Sequence, residues 1–423
     1  MFVSLRPRAV ALLLLASGSV SAVEPVSLQL SLVEAERRAL DADAGIRAAQ
    51  ATAQALREQA VAAGQLPDPT VSLGVMNLPA DSFDRREVDM TQLSVGVSQA
   101  FPPGATLQHR SARTGHLAAA AEAGTQARRH ELLRETRLAY LELAYQDAAV
   151  QLIAATRSQF DDLLAVTEAQ YRTGRNSLQD VLSAQLEYAL LGDRLAAAQS
   201  ERDAARADLE RWAGPLGPGM SLPAAFPALA APPAVEALQA GLETHPRIAA
   251  AQARVAAGQS AVEIARQQYK PGWMLDLSYG ERSGHGMNGA RRSDLLSAMV
   301  TLDLPLFTGK RQDRRVAAGV AETEALRYTR DDVYRELQRA LAADYPRWRQ
   351  LQRRERDYTD SIVPVAHHNA AAALTAYRNG VSDFTALIRA RLADLDSRLQ
   401  ALRTRTERLQ TQARLLYLAG EDA

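Results

Sequence analysis

Cysteine is absent from the 423-residue sequence. Its absence excludes disulfide bonds, thiolate metal sites, a cysteine nucleophile and the acylated N-terminal cysteine of a lipoprotein. An excess of one charge is also absent, since 49 basic residues balance 49 acidic residues. The composition therefore gives no indication of a nucleic-acid-binding surface.

Long hydrophobic runs are lacking as well, because no apolar stretch reaches the roughly 20 residues that a membrane-spanning helix needs. A shorter apolar run, Ala9–Ala16, follows two arginines near the start, and the small residues Val20-Ser21-Ala22 come after it. This order predicts a secretory signal peptide over residues 1–22, cleaved before Val23, and a membrane anchor is the weaker alternative. The mature protein is expected to be exported, and a membrane-embedded form would have to be β-structure.

Catalytic and metal-binding motifs are missing too. The 7 histidines are scattered without an HExxH pattern. The adjacent His367 and His368 would point about 100° apart on a helix, which favours a solvated surface pair over a metal site. Met76, Met274 and Met299 fall on one face of predicted strands, where packing is the favoured role and soft-metal contact the alternative. We therefore predict no enzyme, no resident metal and no cofactor.

The sequence contains an internal duplication. The segment Tyr171-Arg172-Thr173-Gly174 recurs as Tyr377-Arg378-Asn379-Gly380, and other residues match at a similar spacing. A period of about 200 residues is too long for a stacked solenoid. We therefore predict two related halves, residues 23–213 and 234–423, joined by the proline-rich linker 214–233.

Both copies of the repeated segment predict the tip of a helical hairpin. In each copy a long helical pattern ends at a glycine, polar residues follow, and a second helical pattern begins. Ser177 and Ser382 are candidate N-caps of the two returning helices.

Each half also contains two runs with the alternation of a β-strand, which predict β-hairpins over about 69–101 and about 272–304. Runs of about ten residues can cross a bilayer as tilted barrel strands, and a soluble sandwich edge is the alternative. Because the smallest membrane barrels have about eight strands, four strands per chain require two or three copies. The apolar positions are Val71, Leu73 and Val75; Leu93, Val95, Val97 and Phe101; Trp273, Leu275, Leu277 and Tyr279; and Leu296, Ala298, Val300, Leu302 and Leu304.

Helical patterns fill the rest of the first half. Residues 28–66 read as one long helix or two abutting helices, with an interruption around 41–45. A proline-free helical pattern over about 105–172 would be about 100 Å long, and the return helix over about 177–212 only half that length. We expect the two shorter helices to stack end to end beside the long one.

The second half repeats this plan with helices over about 234–268, 309–377 and 383–419. We expect Pro346 and Pro364 to kink the long helix. The last helix carries an apolar seam with steps of four and three residues, which predicts a left-handed coiled coil. The seam consists of Ile388, Leu392, Leu395, Leu399, Leu402, Thr406, Leu409, Ala413 and Leu416.

This layout resembles the TolC family of outer-membrane efflux proteins. The resemblance covers nearly the whole mature chain and includes the duplicated Tyr-Arg-x-Gly motif with its following apolar helix. It implies a mainly α fold with membrane β-structure, in which a homotrimer forms a 12-stranded outer-membrane β-barrel, four strands per chain, continuous with a long periplasmic α-helical coiled-coil barrel. It also implies location in the cell outer membrane, extending into the periplasm, and contact with a periplasmic adaptor (membrane fusion protein) and an inner-membrane pump.

Four shorter segments look like the heavy-metal branch of that family, which exports copper and silver or cobalt, zinc and cadmium. They are Pro67-Asp68-Pro69, Met76-Asn77-Leu78-Pro79, Asp89-Met90-Thr91-Gln92-Leu93 and Phe101-Pro102. The resemblance therefore implies a passive conduit of a tripartite system for heavy-metal ions. Drug efflux or type I protein secretion through the same channel is one alternative. A soluble periplasmic coiled-coil scaffold is another, and it requires all four alternating runs to be accidental.

By similarity to the family, the hairpin tips form the periplasmic gate and the adaptor contact. Asp180 and Tyr377 match a pair that ties adjacent hairpins in the drug-exporting relatives. Two acids that line the narrowest point of those relatives are replaced by Ala386 and Arg389, so an acidic ring would depend on Asp383, one turn earlier. The predicted site residues are Tyr171, Arg172, Gly174, Asp180, Tyr377, Arg378, Gly380 and Asp383.

Overall fold

The structure is a computed structural model that describes residues 29–217 and 219–420. The predicted signal peptide over residues 1–22 and Pro218 of the predicted linker lie outside the described residues. Within the described ranges, none of the helices is both long and apolar enough to cross a membrane.

The described part of the first half, residues 29–213, contains four helices and two strands. Helices α1 (Leu32–Ala42) and α2 (Ala44–Ala63) abut at Asp43. The carboxylate of Asp43 accepts a hydrogen bond of 2.6 Å from the backbone N–H of Ile46, which caps α2 and explains the break predicted around 41–45. Strands β1 (Thr70–Met76) and β2 (Gln92–Phe101), the long helix α3 (Thr106–Arg172) and the return helix α4 (Leu178–Ala213) follow.

The second half has the same order of elements with more interruptions. Helix α5 (Val235–Gly241) leads through one 3₁₀ turn (Leu242–Thr244) into α6 (Pro246–Gln267), and strands β3 (Gly272–Glu281) and β4 (Leu295–Asp303) follow. The long helix consists of α7 (Gln312–Asp357), a π-helical turn (Tyr358–Ile362) and α8 (Val363–Arg378). Helix α9 (Phe384–Ala419) returns from the second tip.

The two prolines of the second long helix differ in their effect. Helix α7 continues through Pro346 without a change of helix type, whereas the π-helical turn lies immediately before α8 and its Pro364. Proline has no N–H for the carbonyl four residues earlier, and a wider turn can absorb that loss. The change of helix type therefore accompanies Pro364 and not Pro346, and the kink expected at each proline stays a prediction.

The four strands form one antiparallel sheet in the order β1-β2-β3-β4. Val71 pairs with Val97, Val97 with Leu277, and Leu277 with Ala298, so one apolar row crosses the whole sheet. The row beside it on the opposite face is Ser72, Gly96, Ser278 and Ser297. The predicted alternation is confirmed, and within the described chain the outer edges of β1 and β4 have no partner strand.

The apolar face of the sheet is uncovered. Leu73 is 77% exposed, Leu296 82% and Val300 57%, although all three have the side chains of core residues. No helix of the described chain packs on this face, since the sheet's main contacts are between its own strands. The face therefore has the composition of a surface that meets an apolar environment.

Helix α3 is the central element of the helical part. Helix α2 packs along one half of α3 and α4 along the other half, while α6 and α9 pack on its second side in the same two halves. At about 1.5 Å per residue, the 67 residues of α3 span about 100 Å. The predicted end-to-end stacking of the shorter helices beside the long one is confirmed.

The contacts define the order of the helices across the molecule. In the half next to the sheet the order is α2, α3, α6 and α7, and in the half next to the tips it is α4, α3, α9 and then α7 or α8. The chain is thus a wall with two open sides. One side consists of β1, α2 and α4, and the other of β4, α7 and α8.

Buried clusters hold this wall together at two levels. Near the middle, Leu242, Leu337 and Leu415 belong to one apolar cluster. Near the tips, Phe160, Leu191 and Leu395 belong to another. Most positions of the predicted α9 seam are buried, as expected for a helix packed on both α3 and α7 or α8.

The proline-rich linker runs without helix around the middle of the wall. The backbone N–H of Leu30 donates to the carbonyl of Ser221 over 2.9 Å. From α9, the side-chain amide of Gln412 donates to the carbonyl of Ala230 over 2.7 Å. These contacts fasten the linker to the start of the first half and to the end of the second.

Candidate functional site

The first tip joins α3 to α4 through a tight turn. Gly174 has a φ of +69°, a conformation that glycine adopts without the strain of a Cβ atom. The backbone N–H of Arg175 then donates to the carbonyl of Gln170 over 2.9 Å, which satisfies one of the last carbonyls of α3. The motif glycine is thus required by the shape of the turn.

A capping box starts α4. The hydroxyl oxygen of Ser177 accepts from the backbone N–H of Asp180 over 3.2 Å. The carboxylate of Asp180 accepts in return from the backbone N–H of Ser177 over 3.1 Å and from its hydroxyl over 2.8 Å. The prediction of Ser177 as N-cap is confirmed, and Asp180 has a structural role at the start of its own helix.

The second tip has the same turn but a different cap. Gly380 has a φ of +70°, and the backbone N–H of Val381 donates to the carbonyl of Ala376 over 2.9 Å. The N-cap of α9 is Asp383, whose carboxylate accepts from the backbone N–H of Ala386 over 2.7 Å. The expectation that Ser382 caps this helix was wrong, because Asp383 is the residue directly before the first helical position.

Tyr377 joins the two tips. Its hydroxyl accepts a hydrogen bond of 2.6 Å from the side-chain amide of Asn176 and donates one of 3.0 Å to the side-chain carbonyl of Gln170. Asn176 also donates to Gln170 over 2.9 Å. These three polar groups form a closed triangle between the end of α8 and the first tip.

Apolar packing supports that triangle from one side. The ring of Tyr377 meets that of Phe384 edge-on, with 5.6 Å between the centroids. Phe384 and Phe160 are each 2% exposed, so they anchor the start of α9 against α3. The position of the Tyr377 hydroxyl is consequently set by a packed core and not by a free side chain.

A cavity of about 200 Å³ lies beside the triangle, between α3 and the second hairpin. Its wall combines apolar side chains such as Val166 and Leu374 with the charged groups of Asp162 and Arg378. On the same wall, Arg391 donates to the side-chain carbonyl of Gln159 over 3.3 Å. The two hairpins are therefore in contact through a partly polar seam that water can enter.

The remaining predicted site residues lie on the outside of the tips. Tyr171 is 44% exposed, and Arg172, Arg378 and Asp383 are exposed as well. The structure thus brings Tyr377 and the first tip together, while Arg172 stays exposed and the exposed Arg378 also lines the cavity between the hairpins. Asp180 is half-buried and bonded to Ser177.

Sequence reasoning missed Gln170 and Asn176 as partners of Tyr377. Both residues flank the first Tyr-Arg-x-Gly motif, at one position before it and two positions after it. The only sequence signal for them was that two amide side chains lie next to the motif. The partner of that pair, however, lies about 200 residues away in the second half, which no local pattern reveals.

The described residues include no group of three or more His, Asp or Glu side chains placed to hold a metal ion. His367 contacts α9 instead, with its Nδ1 atom 2.7 Å from the Arg398 guanidinium and 3.5 Å from the Asp394 carboxylate. Its ring centroid is 6.3 Å from that of His368. The three methionines on the predicted strands lie on the face with the small and polar residues, in the register given by the sheet.

Comparison with known proteins gives both a family and a fold. The family described as outer membrane efflux protein matches residues 36–215 and 237–421. Protein CyaE of Bordetella pertussis is 32% identical over 222 residues, which is 49% of this chain and 46% of that relative. This chain thus matches less than half the length of CyaE.

Two solved structures illustrate the likeness in fold. The outer membrane protein VceC from Vibrio cholerae has a TM-score of 0.76 at 20% identity, covering 92% of this chain and 96% of VceC. CusC, described with conformational changes that accompany folding and transmembrane channel formation, has a TM-score of 0.76 at 17% identity, covering 92% of each chain. Likeness at these identities concerns the fold: a long helical wall with a small four-stranded sheet.

Proposed function

The chain belongs to the outer membrane efflux protein family, and from that premise we propose that it is the exit channel of a tripartite export system. The family places the protein in the outer membrane with its helical part in the periplasm, and it makes the protein a channel and not an enzyme. Members of the family are trimeric and work with adaptor and inner-membrane pump partners. The proposal concerns which assembly, gate and cargo this chain has.

The proposal that several copies form a closed ring is based on the two open sides of the wall. An unpaired β1 edge and an unpaired β4 edge cannot remain exposed in lipid, because each free backbone group there costs several kcal/mol. A head-to-tail contact between β4 of one copy and β1 of the next satisfies both edges, and repetition closes a ring. Three copies of the four-stranded sheet give the 12-stranded barrel of the family.

The two faces of the sheet fit such a barrel. The uncovered apolar rows face lipid, and the rows with Ser72, Ser278 and Asp276 face the lumen. Within one chain the hydroxyl of Ser98 already hydrogen-bonds to the carboxylate of Asp276 across the β2–β3 pair. A polar lumen and an apolar exterior are the two surfaces of an outer-membrane pore.

For the gate, we propose that the hairpin tips close the periplasmic end and contact the adaptor. The hydrogen bonds of Tyr377 to Asn176 and Gln170 support this proposal, since they tie the two tips of one chain together. A contact between Asp180 of one copy and Tyr377 of the next stays a prediction. The other tip residues of the proposed site are Tyr171, Arg172, Gly174, Arg378, Gly380 and Asp383.

For the cargo, we propose heavy-metal ions, which pass through the channel without a resident binding site. The support is the set of strand-flanking segments that resemble the heavy-metal branch, such as Pro67-Asp68-Pro69 and Phe101-Pro102. Drug efflux and type I protein secretion use the same kind of channel and remain the competing cargoes. The soluble scaffold is excluded by the outer-membrane location of the family.

A deletion strain separates these cargoes. Loss of the gene should lower the tolerated concentration of copper, silver, cobalt, zinc or cadmium, and plasmid-borne protein should restore it. Unchanged metal tolerance combined with greater sensitivity to drugs, or with a protein missing from the medium, would replace the metal assignment by that cargo. A matched control is a variant with Leu73→Asp on the lipid-facing row, which should not assemble in the membrane and should not complement.

A further inference from the structure

We infer that α4 of one copy docks along α7 and α8 of the next copy in a single axial register, fixed by an apolar band near the tips and an ionic band further up. This inference rests on the proposed ring. It goes beyond the ring by naming the two helix faces and the level at which they meet.

Helix α4 has an unpartnered face with two distinct parts. Its opposite face, with Val181, Ala184, Leu191 and Leu209, is buried within the chain. The near-tip part of the open face is a stripe of leucines at four-residue spacing, which lie on one side of a helix. Their exposed fractions are Leu178 53%, Leu182 56%, Leu186 58% and Leu190 47%.

Further from the tip, the same open face of α4 becomes acidic. At 100° per residue, Glu201 lies about 80° and Asp208 about 60° from the centre of the leucine stripe, and both are exposed. Neither carboxylate forms an ion pair with another described residue. The open face of α4 is thus apolar for about three and a half turns and acidic above.

The open face of α7 and α8 has the matching parts. On α8 the exposed residues Ala371, Ala372 and Thr375 are small, so a neighbouring helix with leucines can approach closely. On α7, Arg349 and Arg353 are exposed on the side opposite the buried leucines of that helix. Within the described chain, neither guanidinium has a carboxylate partner.

The order of the helices makes these two faces meet only between copies. Next to the tips the wall runs α4, α3, α9 and then α7 or α8, so α4 and α7 are its two ends. Within the chain α4 packs on α3 and α1 and reaches α9 through the Arg194–Asp396 ion pair of 3.2 Å, while its leucine stripe stays about half exposed. The second neighbour of α4 is therefore the α7 and α8 end of another copy, in a head-to-tail contact.

Ring closure fixes the level of this contact. A closed ring has no axial rise from copy to copy, so equal distances from the tips correspond across the contact. The two tips of one chain lie at the same level because Tyr377 bonds directly to Asn176 over 2.6 Å. Distances along α4 and along α8 and α7 can thus be compared from a common origin.

The bands coincide at these distances. At about 1.5 Å per residue, the leucines of α4 occupy about the first 20 Å, and the small residues of α8 lie about 5–10 Å from the tip. Glu201 lies about 35 Å from the tip, at the level of Arg353 at about 37 Å. Asp208 lies about 45 Å from the tip, at the level of Arg349 at about 43 Å. A shift of α4 by about 8 Å towards the tips would bring Glu201 level with the acid Asp360.

Disulfide cross-linking tests the register, since the chain has no cysteine of its own. The variant with Glu201→Cys and Arg353→Cys should form covalent dimers and trimers on mild oxidation. The matched control combines Glu201→Cys with Arg339→Cys, which lies about 58 Å from the tip on the same helix and should not cross-link. The two single-cysteine variants should form the same detergent-resistant oligomer without covalent bonds.

Charge reversal tests the ionic band independently. Asp208→Arg or Arg349→Asp alone should lower the fraction of oligomer that survives dilution in detergent by up to about fivefold per pair, the range of exposed ion pairs. The combined variant Asp208→Arg with Arg349→Asp should regain the lost fraction. Equal losses in the combined variant and the single variants would overturn the pairing.

The outcomes distinguish this inference from the proposed function. Cross-linking at Glu201 and Arg353 but not at the control pair supports both. An intact oligomer that conducts ions in a planar bilayer but cross-links only at the control pair, or at neither pair, overturns the register and leaves the channel standing. Failure of all variants and of the unmodified protein to form any oligomer overturns the proposed ring, and the inference with it.

Discussion

Replacing Tyr377 with Phe isolates the polar link between the two hairpin tips. The substitution removes one hydroxyl and keeps the ring that packs edge-on against Phe384 at 5.6 Å. It deletes the hydrogen bonds of 2.6 Å from Asn176 and 3.0 Å to Gln170. Asn176 and Gln170 keep their own bond of 2.9 Å, so the first tip loses no internal contact.

The expected size of the effect follows from these two bonds. A hydrogen bond contributes about 0.5–1.5 kcal/mol net, and the lower end of this range applies to a half-buried hydroxyl. The two bonds of Tyr377 together therefore contribute about 1 kcal/mol per chain. If the tips separate within all three chains on opening, the closed state loses about 3 kcal/mol. At about 1.36 kcal/mol per factor of ten, the ratio of open to closed channels should rise about 150-fold.

Single-channel recording of purified oligomer in a planar bilayer measures that ratio. Entry of a large antibiotic into cells that carry the variant gives a second readout, with greater sensitivity expected. Tyr328→Phe is the matched control, because Tyr328 is 62% exposed on α7, well away from the tips. An assembled Tyr377→Phe oligomer that opens no more often than the unmodified protein and the control would refute the gate assignment.

The remaining predictions concern the cap, pH and topology. Ser177→Ala and Asp180→Ala should each lower the stability of the first tip by about 1 kcal/mol. The double variant should lose little more, because both changes break the same capping box. Hydrogen exchange at the start of α4 measures the loss. His245 is 1% exposed, and burial lowers its pKa from 6.5 to about 4. As the pH falls, the unfolded chain therefore binds a proton at His245 before the folded chain does. The free energy of unfolding should be highest above about pH 6.5 and should fall by roughly 3 kcal/mol as the pH drops to about 4. Denaturant titration should show this fall, and His245→Gln should remove it. A cysteine in place of Ser82 should react with an impermeant thiol reagent in whole cells and one in place of Ser158 should not, and the reverse result would invert the topology.

The strands and helices were largely predictable because their signals are local. Alternation marks β1 to β4 directly, and the register that pairs Val97 with Leu277 aligns the apolar positions that the pattern had identified. The break at Asp43 and the turns at Gly174 and Gly380 also follow from single residues with strong conformational preferences. The π-helical turn did not follow, because Pro346 and Pro364 look alike in sequence and differ only in their surroundings.

The candidate site was less predictable because it joins distant parts of the chain. The motif identified Tyr377, but its partners Gln170 and Asn176 lie in the other half and are chosen by tertiary packing. The cap of α9 was misassigned by one residue, since Ser382 and Asp383 are both good N-caps and only the backbone decides between them. Local patterns therefore located the tips but not the bonds between them.

Conductance of the purified oligomer is the most direct test of the central claim that this chain forms a gated outer-membrane channel. Protein extracted from outer membranes in detergent and added to a planar bilayer should produce discrete current steps, with the closed state dominant in the unmodified protein. Absence of any current step from a properly assembled oligomer, under conditions where Tyr377→Phe is also silent, would contradict the claim.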